Sequence, residues 1–158
     1  MKRNMVLFLV LVLGISGLSF AQAEIEDSNK IDYGFSKIVN LSYEQALEKV
    51  TQELKKEGFG IITEIDVKAT MKKKLDVDYR PYKILGACNP KFAHQALEAE
   101  EQIGLMLPCN VIVYENKNGK TVVTAVNPAA AMGSIENPKL KEVAKSVEAK
   151  LRKVIENI

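Results

Sequence analysis

The dipeptide Asn118-Gly119, set between the runs Asn110 to Asn116 and Lys120 to Val126, constrains this chain more than any other feature. Asn-Gly signals a tight β-hairpin turn because both residues tolerate positive φ. A two-residue turn pairs Tyr114 with Val123, Val113 with Thr124 and Val111 with Val126. One hairpin face then carries Val111, Val113, Val122 and Val126. The other carries Ile112, Tyr114, Val123 and Ala125. A hairpin that is apolar on both faces belongs inside a layered fold, because large exposed apolar patches rarely go unused. One face is expected on the main core. The face holding Ile112, Tyr114, Val123 and Ala125 needs another helix, a second protomer or a small ligand.

The rest of the chain is punctuated clearly enough to place that hairpin. Tyr33 to Val39 reads as a first strand. Ser42 and Gln45 form a capping box at the start of a helix whose stripe is Ala46, Leu47, Val50 and Leu54, and Gly58 closes it. Phe59, Ile61, Ile65 and Val67 alternate with polar positions, which predicts a strand over Phe59 to Asp66. A short helix with Met71 and Leu75 one turn apart follows, then a strand over Pro81 to Cys88. Asn89-Pro90, Asn127-Pro128 and Asn137-Pro138 each place a capping side chain before a first-turn proline. The last helix aligns Leu140, Val143, Ala144, Val147, Leu151, Val154, Ile155 and Ile158 in one seam. The predicted fold class is α+β: a two-layer sandwich with one mixed or antiparallel sheet of about five strands and helices mainly on one face.

Compartment decides how the cysteines are read. Lys2 and Arg3 precede an uncharged run from Met5 to Phe20, and Ala21-Gln22-Ala23 supplies small residues for a signal peptidase. The run is about sixteen residues, short of the roughly twenty that span a bilayer. Residues 1–23 are therefore expected to be a signal peptide cut after Ala23. Residues 24–158 are then a single periplasmic or secreted domain with no stable membrane anchor. The chain has 22 Lys and Arg against 20 Asp and Glu; losing Lys2 and Arg3 brings the remainder to neutrality. Its lysine runs lie at helical spacing or among acids, as on solvated helix faces, so nucleic acid is not an expected partner.

Three stretches carry a specific resemblance. They are Tyr82-Lys83-Ile84-Leu85-Gly86-Ala87-Cys88-Asn89-Pro90, then Ala93-His94-Gln95-Ala96-Leu97, then Ile103-Gly104-Leu105-Met106-Leu107-Pro108-Cys109-Asn110-Val111-Ile112-Val113-Tyr114-Glu115. Together with Glu57-Gly58-Phe59 and Ile65-Asp66-Val67, they resemble the bacterial and archaeal family of domains of unknown function numbered three hundred and two. The resemblance runs from about Phe35 to Ile155. It implies a compact two-layer α+β domain that dimerises, and it implies no activity. Its recurrent polar positions fall here on Cys88, Asn89, His94, Cys109 and Asn110.

The residues themselves leave several chemistries open. Cys88 stands just before a helix N-terminus, where the dipole can lower a thiol's pKa and sharpen a nucleophile; a small buried apolar residue fits the same position. His94 has Glu98 at i+4, a spacing that suits a ligand pair, an oriented base or an ordinary surface pair. Cys88 and Cys109 are the only cysteines. A disulfide between them suits an oxidising compartment if their strands run antiparallel, and is out of reach if they run parallel. No Cys-x-x-Cys, zinc-protease histidine pair, glycine-rich phosphate loop or Gly-x-Ser-x-Gly elbow is present. No metal and no cofactor are expected. The expected function is that of an exported, non-enzymatic homodimeric domain holding a small or apolar ligand. The alternative is a thiol-dependent redox or sulfur-handling protein that uses Cys88.

Overall fold

The computed structural model describes residues 33–158, so the expected signal peptide and its cleavage point lie outside the described residues. Five strands form one antiparallel sheet: β1 (Gly34–Val39), β2 (Gly60–Asp66), β3 (Tyr82–Cys88), β4 (Cys109–Glu115) and β5 (Thr121–Val126). Their spatial order is β1-β5-β4-β3-β2, which puts the hairpin strands β4 and β5 inside the sheet and β1 and β2 at its edges. The helices are α1 (Tyr43–Lys56), α2 (Val67–Leu75), α3 (Pro90–Ala99), α4 (Pro128–Ala131) and α5 (Pro138–Glu156), with a 3₁₀ segment at Glu101–Met106.

Local chemistry sets the helix ends. Ser42 and Gln45 exchange both hydrogen bonds of the capping box. At the other end of α1, Gly58 takes φ 84°. Phe59 N–H then donates to Leu54 O, and Gly58 N–H to Lys55 O, which closes the helix in a Schellman turn. Asp66, Asn89, Asn127 and Asn137 each accept a backbone N–H at the start of their helices. The asparagine caps stand before prolines, whose missing N–H costs nothing there.

The inner face of the sheet carries the core. Leu85, Ala87, Cys109, Val111, Val113, Val123 and Ala125 pack with Ala46, Val50 and Leu54 of α1 and Val147, Leu151, Val154 and Ile155 of α5. A smaller cluster of Ala96, Ile103, Met132, Leu140 and Ala144 joins α3, the 3₁₀ segment, α4 and α5. The helix α2 touches chiefly β2 and β3 and buries none of its residues.

One expectation about the hairpin is corrected. The observed pairs are Val111 with Ala125, Val113 with Val123 and Tyr114 with Val122, one residue away from the predicted register. The loop has three residues, Lys117-Asn118-Gly119, because Glu115 pairs with Thr121 and Asn116 N–H donates to Lys120 O. Gly119 alone takes positive φ, at 71°. Asn116 Oδ1 accepts the N–H groups of Asn118 and Lys120 and holds the wider loop. A one-residue slip moves a strand's residues to the opposite face. Val123 and Ala125 therefore lie in the inner core, fully buried, while Ile112 and Tyr114 share the outer face with Val122 and Thr124.

Candidate functional site

Cys88 ends β3, and Cys109 begins β4. The two strands are antiparallel, and Ala87 pairs directly with Cys109, so the cysteines are diagonal neighbours at one end of the sheet. The antiparallel arrangement is the one that brings them near each other. Both are free thiols. They share the wall of a cavity between the sheet, α3, α4 and α5, lined otherwise by Asn89 and by apolar groups that include Phe59, Phe92, Leu107, Met132 and Leu140. The free space is about 30 Å³, room for one or two waters. Burial, and secondarily the charge of nearby Cys88, push the Cys109 thiol up to about 11. Cys109 is therefore a neutral, poorly nucleophilic thiol at physiological pH. Cys88 is half-buried, at the edge of the same cavity.

Asn89 has a structural task. Its Oδ1 accepts the Phe92 N–H and its Nδ2 donates to Glu57 O, each at 3.5 Å. It thus joins the beginning of α3 to the end of α1, and Gly58 lies so close that a Cβ there would meet Asn89 Nδ2 at 3.0 Å. Glu57 extends the junction: its carboxylate binds Lys150 at 3.0 Å and also Lys153, both on α5. Those two ammonium groups hold the Glu57 carboxyl below its ordinary range.

His94 does not join the cysteines. It is exposed on α3, where it lines a separate groove with Glu98 of its own helix and Lys139, Glu142 and Ser146 around α5. Asn110 is exposed at the start of β4, paired with Gly86. Gly86 is buried, and a Cβ there would fall 2.1 Å from Thr63 Oγ1 and 2.7 Å from Pro108 Cγ. Glycine is needed at this position because two side chains close over it. Of the five polar positions carried by the resemblance, only Cys88, Asn89 and Cys109 come together. Among the described residues, no three His, Cys, Asp or Glu side chains cluster as metal ligands. No described helix is long and apolar enough to cross a membrane.

The outer face of the sheet is the second candidate surface. Ile84 pairs with Ile112 and with Ile65, and Tyr82 with Tyr114. Ile65 is 49% exposed and Ile38, near β1's end, is 41% exposed. The Tyr82 and Tyr114 rings stack at 5.2 Å, and Tyr79 meets Tyr82 at 6.4 Å. Arg80 lies 4.9 Å above the Tyr79 ring. Burial, then the neighbouring Tyr114 and Tyr79 hydroxyls, raise the Tyr82 phenol above its ordinary value. The sequence reading missed Arg80; three tyrosines near one arginine across two strands was the available signal.

Residues 35–158 match a family model, the domain of unknown function DUF302. The chain belongs to the DUF302 family. It is similar to a solved structure described as an uncharacterized conserved protein DUF302 from Bacillus stearothermophilus. That likeness has a TM-score of 0.75 at 29% sequence identity and covers 80% of this chain and 98% of the other. No curated protein matches the chain. DUF302 membership thus supplies the architecture and names no reaction, ligand or partner.

Proposed function

We propose that this DUF302 chain is an exported, non-enzymatic domain that pairs with a second copy through the outer face of its sheet and holds a small apolar ligand against that face. The observation that carries this reading is an aliphatic and aromatic surface of exposed Ile38 and Ile65 with half-buried Ile84, Ile112, Tyr82 and Tyr114, opposite the face packed by α1 and α5. An apolar surface of this kind on a stable domain marks an interaction site. Export rests on the N-terminal sequence pattern alone, and N-terminal sequencing of the mature protein tests it: the first residue should be Glu24. Sedimentation velocity tests the pairing. The wild type should sediment as a dimer, and Ile112→Asp should be monomeric with an unchanged circular dichroism spectrum. A wild type that stays monomeric at high concentration refutes the pairing.

A second reading is supported by the shared cavity of the two cysteines. Cys88, at the N-terminus of α3 beside a neutral Cys109, would act as the reactive thiol of a redox or sulfur-handling protein. Alkylation of Cys88 followed against pH decides it. A half-point well below the free-thiol range supports the reading; absence of labelling in the folded protein removes it.

A further inference from the structure

We propose that the outer face binds an amphipathic carboxylate, with Arg80 taking the anionic head and Tyr79, Tyr82, Tyr114, Ile84 and Ile112 taking the apolar body. The proposal rests on reading that face as an occupied surface, and it adds the charge and shape of the occupant.

Arg80 carries the argument. Its Nε is buried, yet it has no hydrogen-bond acceptor. A buried donor on a charged group without an acceptor is rare in folded proteins, and calls for a partner. Among the described residues, no carboxylate forms an ion pair with Arg80, and its guanidinium stacks over the Tyr79 ring. The neighbouring acids are engaged elsewhere. Glu115 follows Tyr114 on β4, so strand alternation turns it to the inner side. There it lies near Tyr43, whose phenol is raised first by burial and then by Asp66, Glu44 and Glu115. Glu64 is bonded to Lys83 at 3.8 Å.

Backbone pairing fixes the position of Arg80. Pro81 O accepts the Glu115 N–H at 3.1 Å, which continues the β3–β4 ladder one residue beyond Tyr82. Arg80 is therefore on the same side as Tyr82, at the end of a row of π faces running Tyr79, Tyr82, Tyr114. A guanidinium offers parallel N–H groups that fit a planar carboxylate, and it stacks on aromatic rings while doing so. Beyond the row, Ile84 and Ile112 continue the apolar surface along the strands. One cation followed by an aromatic and aliphatic strip matches a monoanion with an apolar tail.

The test uses the purified full chain at neutral pH and isothermal titration with two probes that differ only at the head, 4-phenylbutyrate and 4-phenylbutan-1-ol. The wild type should bind the carboxylate at least about tenfold more tightly than the alcohol. Arg80→Gln should erase that preference while leaving alcohol binding intact. Arg80→Lys, which keeps charge and loses the fork, should keep part of the preference and remains informative if the glutamine variant does not fold. Equal binding of the two probes by the wild type, or an undiminished preference in Arg80→Gln, overturns the carboxylate site while leaving the outer face as a binding surface. Absence of binding by either probe up to about 10 mM overturns the carboxylate site too. Sedimentation of the same samples then reports separately whether the face still pairs two copies.

Discussion

On the inner face of the β4–β5 hairpin, Val111, Val113, Val123 and Ala125 are fully buried under α1 and α5. On the outer face Ile112 and Tyr114 remain half-buried, beside Val122 and Thr124, which are buried. The two faces are similarly apolar and are built from the same two strands. What separates them is shape complementarity with an amphipathic helix. The helices α1 and α5 each bring a continuous seam of small and branched residues to the inner face, and interiors of that kind reach crystal-like density. The outer face instead presents a tyrosine row and an unneutralised arginine. Hydrophobicity alone therefore does not identify a core face; a matching partner element does.

Substitutions on the two faces sharpen this comparison. Leu151→Ala, at the fully buried centre of the α5 seam, should destabilise the protein by about 2–5 kcal/mol in denaturant unfolding. A loss under about 1 kcal/mol would mean the inner face is loosely packed. Gly86→Ala, where Thr63 and Pro108 close over β3, should cost about 1–3 kcal/mol in the same assay through overpacking. Ile112→Ala on the outer face should cost only about 1 kcal/mol in the monomer, since a half-buried side chain forfeits less apolar burial. If it costs as much as Leu151→Ala, the outer face is covered within the chain and the contrast fails.

The smallest effect is in acid. The Glu57 carboxyl is held below its ordinary value of 4.5, first by Lys153 and then by Lys150. Its stabilising contribution is complete above that value and is lost as pH falls through the lowered folded value. Glu57→Gln should therefore flatten the acid limb of a thermal-melting profile and leave the profile between pH 6 and pH 8 parallel to wild type (about two pH units in which the carboxyl is ionised in both states). An unchanged acid limb would place the acid sensitivity elsewhere, with the Lys49–Glu53–Lys56 contacts on α1 as the next candidate.

Most of the fold was legible because its signals are local. Ser42 and Gln45, the three Asn-Pro pairs and the α5 seam each specify an end or a face within a few residues. The hairpin register was not legible, since Asn118-Gly119 satisfies both a two-residue turn and a three-residue loop that needs positive φ at Gly119 alone. The deciding contact, Asn116 Oδ1 on two loop amides, lies outside the dipeptide. The site was half legible. The approach of Cys88 to Cys109 depended on strand direction, which neither motif encodes. The i+4 spacing of His94 and Glu98 left three roles open, and His94 stands exposed on α3 away from both cysteines. The acceptorless Nε of Arg80 depends on what covers it in three dimensions, and nothing in the Tyr79-Arg80-Pro81-Tyr82 run expresses that.

The edge strand β2 has a further consequence. Its register with β3 shifts by one residue between Ile61 and Thr63, leaving Ile62 as an extra residue. A bulged edge is twisted and breaks the regular spacing of outward amides, so it is a poor template for another strand. Growth of the sheet into a fibre is thereby discouraged at this side of the molecule. Two-fold association through a sheet face is isologous and closes after two copies, whereas strand addition at an edge has no built-in end.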